Sequence, residues 1–355
     1  MNEIKVLIVD DSAFMRKLIG DFLACDSRFH VVGTARNGEE GLKKALELSP
    51  DIVTLDIEMP KMNGLDMLKQ LMRVKPLPVV MLSSTTIEGA ENTLTAMQYG
   101  AVDFVAKPSG AISLDLHKVK DELISKLLLA SKANISSSSH QHAQNSSVYN
   151  LPMGTKVNKM ICIGTSTGGP RALQEVLSTV SKDINAPIFI VQHMPPNFTK
   201  SLAARLNQLS DIEVKEAKDN EIVRSGCAYI APGGFHMTVV EKKGQLSICL
   251  DTSSPVKGHR PSVDRLFQSI SKISGYQTLA IVLTGMGADG TEGVIDLKKN
   301  KDALILAESE ETAVIYGMPK SAVSTKLVDY IEPLRNVGSF ISRYAQKWEG
   351  KLRWI

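Results

Sequence analysis

Two long blocks of this sequence alternate short β-branched apolar runs with segments of helical length, and this alternation constrains the fold more than any other feature. Strands that alternate with helices form a parallel sheet with helices on both faces. In the first block the predicted strands are Ile4–Val9, Val31–Thr34, Ile52–Leu55, Val79–Leu82 and Phe104–Val105. The helix-like segments lie near Ala13–Leu23, Glu39–Leu48, Gly64–Met72, Glu88–Tyr99 and Leu116–Leu129. The block therefore predicts an α/β domain with a five-stranded parallel sheet.

The second block resumes this alternation from Lys159 and interrupts it once. Its predicted strands are Met160–Ile163, Ile188–Gln192, Tyr229–Ala231, Leu279–Leu283 and Leu304–Ala307, and a late helix is predicted over Lys320–Tyr330. Between them, His236–Val240 and Gln245–Leu250 flank a Glu-Lys-Lys-Gly turn, which is typical of an antiparallel hairpin. We predict a doubly wound, mostly parallel α/β domain that contains this hairpin.

A polar segment separates the two blocks. Residues 131–150 read SKANISSSSHQHAQNSSVYN, with few apolar residues and no period, a composition typical of a flexible linker. We predict a first domain over 1–130, a linker over 131–156 and a second domain over 157–355.

Composition excludes several classes of protein. Residues 1–108 hold 12 Lys/Arg and 15 Asp/Glu, and the remainder holds 29 Lys/Arg and 23 Asp/Glu. Neither half has the concentrated basic surface expected of a nucleic-acid-binding protein. The four cysteines form no C-x-x-C pair, which fits a reducing compartment. We see no signal peptide and no apolar run of 18 residues. We therefore expect a cytoplasmic protein that is not inserted in a membrane.

Acidic side chains follow two of the predicted strands in the first block. Asp10 and Asp11 follow the first strand, and Asp56 closes the third. The carboxyl ends of neighbouring parallel strands meet where ligands bind, and carboxylates that converge there suit Mg²⁺. Ser83 and Lys107 follow the fourth and fifth strands. Together these groups could stabilise an acyl phosphate on Asp56.

The order VDDS, TLDIEMPKMNG, MLSS, FVAKP resembles a response-regulator receiver domain of flavodoxin-like fold. The resemblance implies that Asp56 takes phosphate from a histidine kinase and that Mg²⁺ is bound by Asp10, Asp11 and Asp56. It further implies three switch residues: Ser83, Phe104 and Lys107. Because Ser84 adjoins Ser83, the switch hydroxyl could be either.

The second block opens with Gly164-Thr165-Ser166-Thr167-Gly168 between a predicted strand and a helix, the context of a G-x-S-x-G nucleophile elbow. A phosphate-binding loop would need the Lys of Walker A, and a dinucleotide loop would need G-x-G-x-x-G; both are absent. An anion-binding turn or a plain turn remain alternatives for the loop considered alone.

A nucleophilic serine needs a base and an acid that orients the base. His193 ends a predicted strand and is favoured over His236. Asp289 lies in a Gly-rich turn after another strand and is favoured over Asp264 and Asp296. The resulting order Ser-His-Asp differs from the Ser-Asp-His order of α/β-hydrolases, so a different fold is expected.

The order GTSTGGP, QHMPP, APGG-x-H, TGMGADG resembles the catalytic domain of chemotaxis protein-glutamate methylesterases and glutamine deamidases, the CheB family, over residues 157–348. The resemblance implies the roles just given and oxyanion donation by the backbone N–H groups of Thr167 and Met286. It also implies that the substrates are methyl-accepting chemotaxis receptors, that phosphorylation activates the enzyme in sensory adaptation, and that the catalytic domain needs no cofactor. The competing interpretations are a response regulator that binds DNA and a binding module that uses the serine loop to hold an anion.

Overall fold

The structure is a computed structural model that describes residues 3–107, 113–133 and 158–346, with residues 113–118 described as backbone alone. The chain divides into two compact units, Met1–Ser136 and Ser137–Ile355. Most of the predicted linker, 131–156, lies outside the described residues.

The first unit is a doubly wound α/β domain, as the alternation predicted. Its sheet has five strands in the order β2-β1-β3-β4-β5, and every described pair of neighbours is parallel. The elements are β1 Ile4–Val9, α1 Ala13–Ala24, β2 Phe29–Ala35, α2 Gly38–Leu48, β3 Ile52–Asp56, α3 Gly64–Val74, β4 Val79–Ser83, α4 Ile87–Gln98, β5 Asp103–Ala106 and α5 Ser113–Ala130.

The central strands of this unit are mostly apolar and buried because helices cover both faces of the sheet. In β1, the residues Val6–Val9 are fully buried, and β3 and β4 are buried throughout. Side chains cap the N-termini of four helices: Ser12, Asn37, Asn63 and Thr86 each accept a hydrogen bond from a backbone N–H in the first turn. The sheet order reverses between β1 and β3, which places a ligand crevice at their carboxyl ends.

The second unit has a seven-stranded parallel sheet in the order β14-β13-β12-β6-β7-β9-β8. Its elements are β6 Asn158–Thr165, α6 Gly169–Leu177, β7 Ile188–Gln192, α7 Phe198–Leu209, β8 Glu213–Glu216, β9 Cys227–Ile230, β10 His236–Lys242, β11 Gln245–Asp251, α8 Val263–Ser271, β12 Tyr276–Val282, α9 Thr291–Asn300, β13 Ala303–Glu308, α10 Met318–Ser324, β14 Tyr330–Glu332 and α11 Leu334–Ala345. The order reverses beside β6, so the crevice here lies between β12, β6 and β7.

The predicted hairpin is confirmed as β10 and β11, which form a separate two-stranded antiparallel sheet. Its buried side chains share one core with the inner face of α8 and with β12; members of that core include Val239, Ile248, Leu266, Phe267 and Ala280. The hairpin thereby packs against the buried face of α8. This packing helps to position the N-terminus of α8, which reaches the candidate site.

The predicted helix over Lys320–Tyr330 is wrong in its second half. The helix ends at Ser324, Lys326 adopts a left-handed φ of 63°, and Tyr330 begins the edge strand β14. The other edge strand, β8, was not predicted, because its four residues include three charged side chains. Among the described residues, no helix is long and apolar enough to cross a membrane.

Candidate functional sites

Ser166 and His193 follow two neighbouring strands of the second unit. Thr165 at the end of β6 pairs with Gln192 at the end of β7, so the next residue of each strand stands at the same sheet edge. The backbone N–H of His193 donates to the carbonyl of Thr165 at 3.1 Å, which fixes the two strand ends against each other. Ser166 is half-buried, while the His193 side chain is only 6% exposed.

Asp289 comes to the same edge from the loop after β12. Its Oδ2 lies 2.8 Å from Nε2 of His193. The first residues of α8 hold the same carboxylate: the N–H groups of Val263 and Asp264 donate at 2.7 and 3.0 Å, and the Ser262 hydroxyl donates at 2.9 Å. A helix N-terminus stabilises negative charge. Sequence reasoning missed this support, although a Pro-Ser-x-Asp start before an amphipathic helix signals an N-terminus.

These contacts set the ionisation of Asp289 and the tautomer of His193. Burial alone would raise the pKa of Asp289, but the hydrogen bond from His193 and the backbone donors hold that pKa well below its usual range. An ionised Asp289 accepts a hydrogen bond from Nε2 of His193, so Nε2 carries the proton and Nδ1 of the neutral imidazole has the lone pair. Nδ1 is buried and has no hydrogen-bond partner among the described residues. It is therefore the ring nitrogen able to accept a further proton.

A second histidine lies against His193. The ring of His259 stacks on it with centroids 3.8 Å apart and planes inclined by 6°. Nothing in the sequence spacing of His259 signalled this contact. The alternative base, His236, is fully buried on β10 with Nε2 3.2 Å from the carbonyl of Ser254. The structure thus brings His193, and not His236, onto Asp289.

The predicted oxyanion donors lie in the two loops that meet at Ser166. The N–H of Ser166 donates to the carbonyl of Thr284 at 3.0 Å, and the Thr284 hydroxyl donates to the carbonyl of Thr167 at 3.0 Å. A Cβ at Gly285 would stand 2.8 Å from Cβ of Ser166, so only glycine permits this approach. Met286 follows directly, so the backbone of both predicted donors lies beside the serine.

In the first unit the three predicted metal ligands converge. One carboxylate oxygen each of Asp10, Asp11 and Asp56 lie within 4.8 Å of one another. Lys107 Nζ lies 2.8 Å from Oδ2 of Asp56 and 3.1 Å from Oδ2 of Asp10. Asp10 and Asp56 are buried and Asp11 is exposed, so the cluster opens to solvent on one side. Hard oxygen ligands with an open side fit Mg²⁺ together with a phosphoryl group.

Asp56 is a buried carboxyl in an environment that disfavours its charge. Burial raises its pKa to about 6, the contact with Lys107 opposes that rise, and the neighbouring Asp10 adds to it. The chain passes close by: a Cβ at Gly64 would stand 1.9 Å from the carbonyl oxygen of Asp56. The glycine that ends the TLDIEMPKMNG motif is therefore required for the start of α3 to pack on the Asp56 backbone.

Two of the predicted switch residues lie on the two strands that follow β3 in the sheet: Ser83 ends β4, and Phe104 is the second residue of β5. The Ser83 hydroxyl is buried and accepts from the Thr93 hydroxyl at 2.6 Å, whereas Ser84 is half-buried. Phe104 is 4% exposed, and Lys126 Nζ lies 4.9 Å from the centre of its ring. Ser83 is thus bound to α4, and Phe104 is packed beneath α5.

Two family models match the chain. The model described as CheB methylesterase matches residues 161–341, and the model described as response regulator receiver domain matches residues 6–117.

Similar proteins match nearly the whole chain. The protein-glutamate methylesterase/protein-glutamine glutaminase of Geobacillus kaustophilus is 54% identical over 343 residues, covering 96% of this chain and 98% of its own. The Bacillus subtilis protein of the same name is 46% identical over 357 residues, covering 97% and 99%. The crystal structure of the Thermotoga maritima CheB methylesterase catalytic domain matches with a TM-score of 0.51 and 42% identity, covering 52% of this chain and 98% of that one.

Proposed function

The chain belongs to the CheB methylesterase family, and from that premise we propose that Ser166, His193 and Asp289 of its second unit hydrolyse glutamate methyl esters on chemotaxis receptors. The observation that carries this proposal is the 2.8 Å contact between His193 Nε2 and Asp289 Oδ2, at the strand end beside Ser166. Full-length matches named protein-glutamate methylesterase/protein-glutamine glutaminase support the substrate class.

The geometry of His193 supports an acylation step in which this residue is the base. Ser166 Oγ attacks the side-chain ester carbonyl while its proton passes to Nδ1 of His193. Asp289 stabilises the imidazolium that forms. The oxyanion takes hydrogen bonds from the backbone N–H groups of Thr167 and Met286, each worth roughly 3 kcal/mol in the transition state of comparable enzymes. The ester C–O bond then breaks, His193 returns the proton to the methoxy oxygen, and methanol leaves.

The deacylation step repeats this sequence with water. Water adds to the acyl carbon as His193 Nδ1 takes its proton, and the return of that proton to Ser166 Oγ releases a glutamate carboxylate. A glutamine side chain can enter the same cycle, with ammonia replacing methanol as the leaving group. The same three residues therefore account for both activities in the relatives' name.

We assign the receiver the role of a phosphorylation switch. Asp56 Oδ accepts the phosphoryl group from a histidine kinase of the chemotaxis pathway, and Lys107 lies close enough to neutralise the added charge. Bound Mg²⁺, held by Asp10, Asp11 and Asp56, would neutralise negative charge on the phosphoryl oxygens. Phosphorylation raises the esterase rate and so contributes to sensory adaptation. The charge added at Asp56 would alter the electrostatic environment of Ser83, which ends the neighbouring strand β4, and of Phe104 in β5.

Methanol release from methylated receptor membranes tests the catalytic proposal. The full chain should release methanol, and Ser166→Ala should lower the rate at least about 10⁴-fold. Ammonia release from receptors carrying glutamine should fall in parallel. Release by Ser166→Ala at the wild-type rate would refute the assignment of the nucleophile.

A further inference from the structure

A carboxyl group that the reaction above does not use lies fully buried next to the catalytic loops. Glu308 is the last residue of β13, whose other residues are apolar, and it is 0% exposed. The register of β12 and β13 pairs Val282 with Ala307, so Glu308 stands where the chain leaves β12 for the catalytic loop. Among the residues that the structure describes, no cation forms an ion pair with it.

Both oxygens of Glu308 accept hydrogen bonds. Oε2 accepts the backbone N–H of Thr284 at 2.7 Å, and Oε1 accepts the Thr312 hydroxyl at 3.0 Å. The Thr312 hydroxyl in turn accepts the N–H of Leu334 at 2.9 Å. Glu308 therefore ties Thr284, the second residue after β12, to the loop that follows β13.

Thr284 passes this restraint to the serine loop. Its carbonyl accepts the N–H of Ser166 at 3.0 Å and the Thr165 hydroxyl at 2.8 Å. Its hydroxyl donates to the carbonyl of Thr167 at 3.0 Å and accepts the N–H of Ile315 at 3.0 Å. A continuous series of hydrogen bonds thus runs from the Glu308 carboxyl, through the backbone N–H and carbonyl of Thr284, to the backbone of Ser166.

Burying an ionisable carboxyl group at this position is unfavourable, so packing alone does not explain Glu308. Burial raises the pKa of Glu308 to about 7, the donors Thr284 and Thr312 oppose that rise, and the charge of Glu175 adds to it. A leucine would fill the space without the cost of burying an ionisable group. What leucine lacks is the acceptor for the Thr284 N–H, which would otherwise be buried without a partner.

We propose that Glu308 is a positioning residue, which holds Thr284 so that Ser166 and the neighbouring oxyanion donors keep their reactive geometry. This rests on the proposed role of Ser166 as the nucleophile. Glu308 touches neither substrate nor the reacting atoms and acts through the backbone of Thr284. Displacement of a nucleophile by about 1 Å lowers rates by up to about 100-fold, so the effect of losing this restraint should appear in the chemical step.

The test is the rate at which a fluorophosphonate probe labels Ser166 in the full chain. Glu308→Leu should lower the rate constant about 10- to 100-fold, and Glu308→Gln, which keeps an acceptor for Thr284, should restore it to within about threefold of wild type. Glu332 is the matched control, because it pairs with Glu308 in the register of β13 and β14 but accepts from Asn336 instead. Glu332→Leu should label at the wild-type rate.

The outcomes separate the two proposals. A wild-type chain that is not labelled, or is labelled equally after Ser166→Ala, overturns the nucleophile. A folded Glu308→Leu chain that is labelled at the wild-type rate overturns the positioning role while the nucleophile stands.

A second readout serves if Glu308→Leu does not fold. The amide resonance of Thr284 should titrate near pH 7 in the wild type and lose that titration in Glu308→Gln. Thr284 is a better reporter than Ser166, which also adjoins His193. A Thr284 amide whose titration is unchanged in Glu308→Gln would overturn the proposal, because Glu308 would then not be the group that Thr284 contacts.

Discussion

Asp56 and Asp289 are both buried carboxyls at the switch point of a doubly wound sheet, yet their surroundings have opposite electrostatic effects. Asp289 receives hydrogen bonds from a histidine and from a helix N-terminus, and its pKa is lowered. Asp56 has Lys107 on one side and Asp10 on the other, and its pKa is raised to about 6.

The difference corresponds to the two kinds of work proposed. An acid that orients a base must stay ionised and stay in place, and the donors around Asp289 fix both its charge and its position. An acid that accepts a phosphoryl group must keep an oxygen available. The carboxylates around Asp56 favour a reversibly bound cation. Under these proposals, the carboxyl edges of two similar sheets serve two chemistries because different groups surround the two carboxyls.

The largest expected effect is on the fixed carboxylate. Asp289→Asn should lower kcat for methanol release roughly 10⁴-fold, because an amide can donate to Nε2 and favours the tautomer with the proton on Nδ1. KM should change much less. Steady-state kinetics on methylated receptor membranes measures both constants. A loss below tenfold would show that Asp289 does not set the tautomer.

The comparison also predicts stability effects of opposite sign in the metal-free chain. Between the usual pKa of 3.8 and about 6, folding costs more as pH rises, because folded Asp56 retains its proton to a higher pH than unfolded Asp56. At pH 7, Asp56→Asn should therefore raise the free energy of unfolding by roughly 1–3 kcal/mol.

Asp289 behaves in the reverse way. Its lowered pKa contributes stability above the unfolded value, and that stability is lost as pH falls through the folded one. Asp289→Asn should destabilise the chain at pH 7. Calorimetry in the presence of a chelator would follow both variants, and shifts of the same sign would refute the electrostatic contrast.

The smallest effect concerns the stacked ring beside the base. His259→Ala should lower kcat about two- to tenfold, since an aromatic pair of this kind is worth about 0.5–1.5 kcal/mol. His259→Phe keeps an aromatic face and should stay closer to wild type. Equal losses in the two variants would indicate that the imidazole nitrogens of His259, rather than the stack, are what matters.

The sequence predicted the architecture of both units because the period of apolar residues reports which elements are buried. It also selected residues that the structure brings together, because strand ends and Gly-rich turns share one sheet edge. The short edge strands β8 and β14 were not predicted, because they contain few apolar residues. The helix predicted over Lys320–Tyr330 ends at Ser324.

Contacts that depend on loop packing could not be predicted. His259 lies in a loop of irregular structure, and its stack on His193 joins positions 66 residues apart. The hydrogen bonds from the N-terminus of α8 to Asp289 depend on where that helix begins relative to the edge of the sheet. For Glu308 a signal existed, namely one acid at the end of an apolar strand, but only the structure shows which N–H it accepts.

Control of the Ser166 site by Asp56 is the central claim, and one assay tests it most directly. Methanol release from methylated receptor membranes would be followed with and without a small phosphodonor and Mg²⁺, for the full chain and for Asp56→Asn. We predict that the phosphodonor raises release by the wild type and leaves Asp56→Asn at its basal rate. Full activation of Asp56→Asn by the phosphodonor would contradict the account.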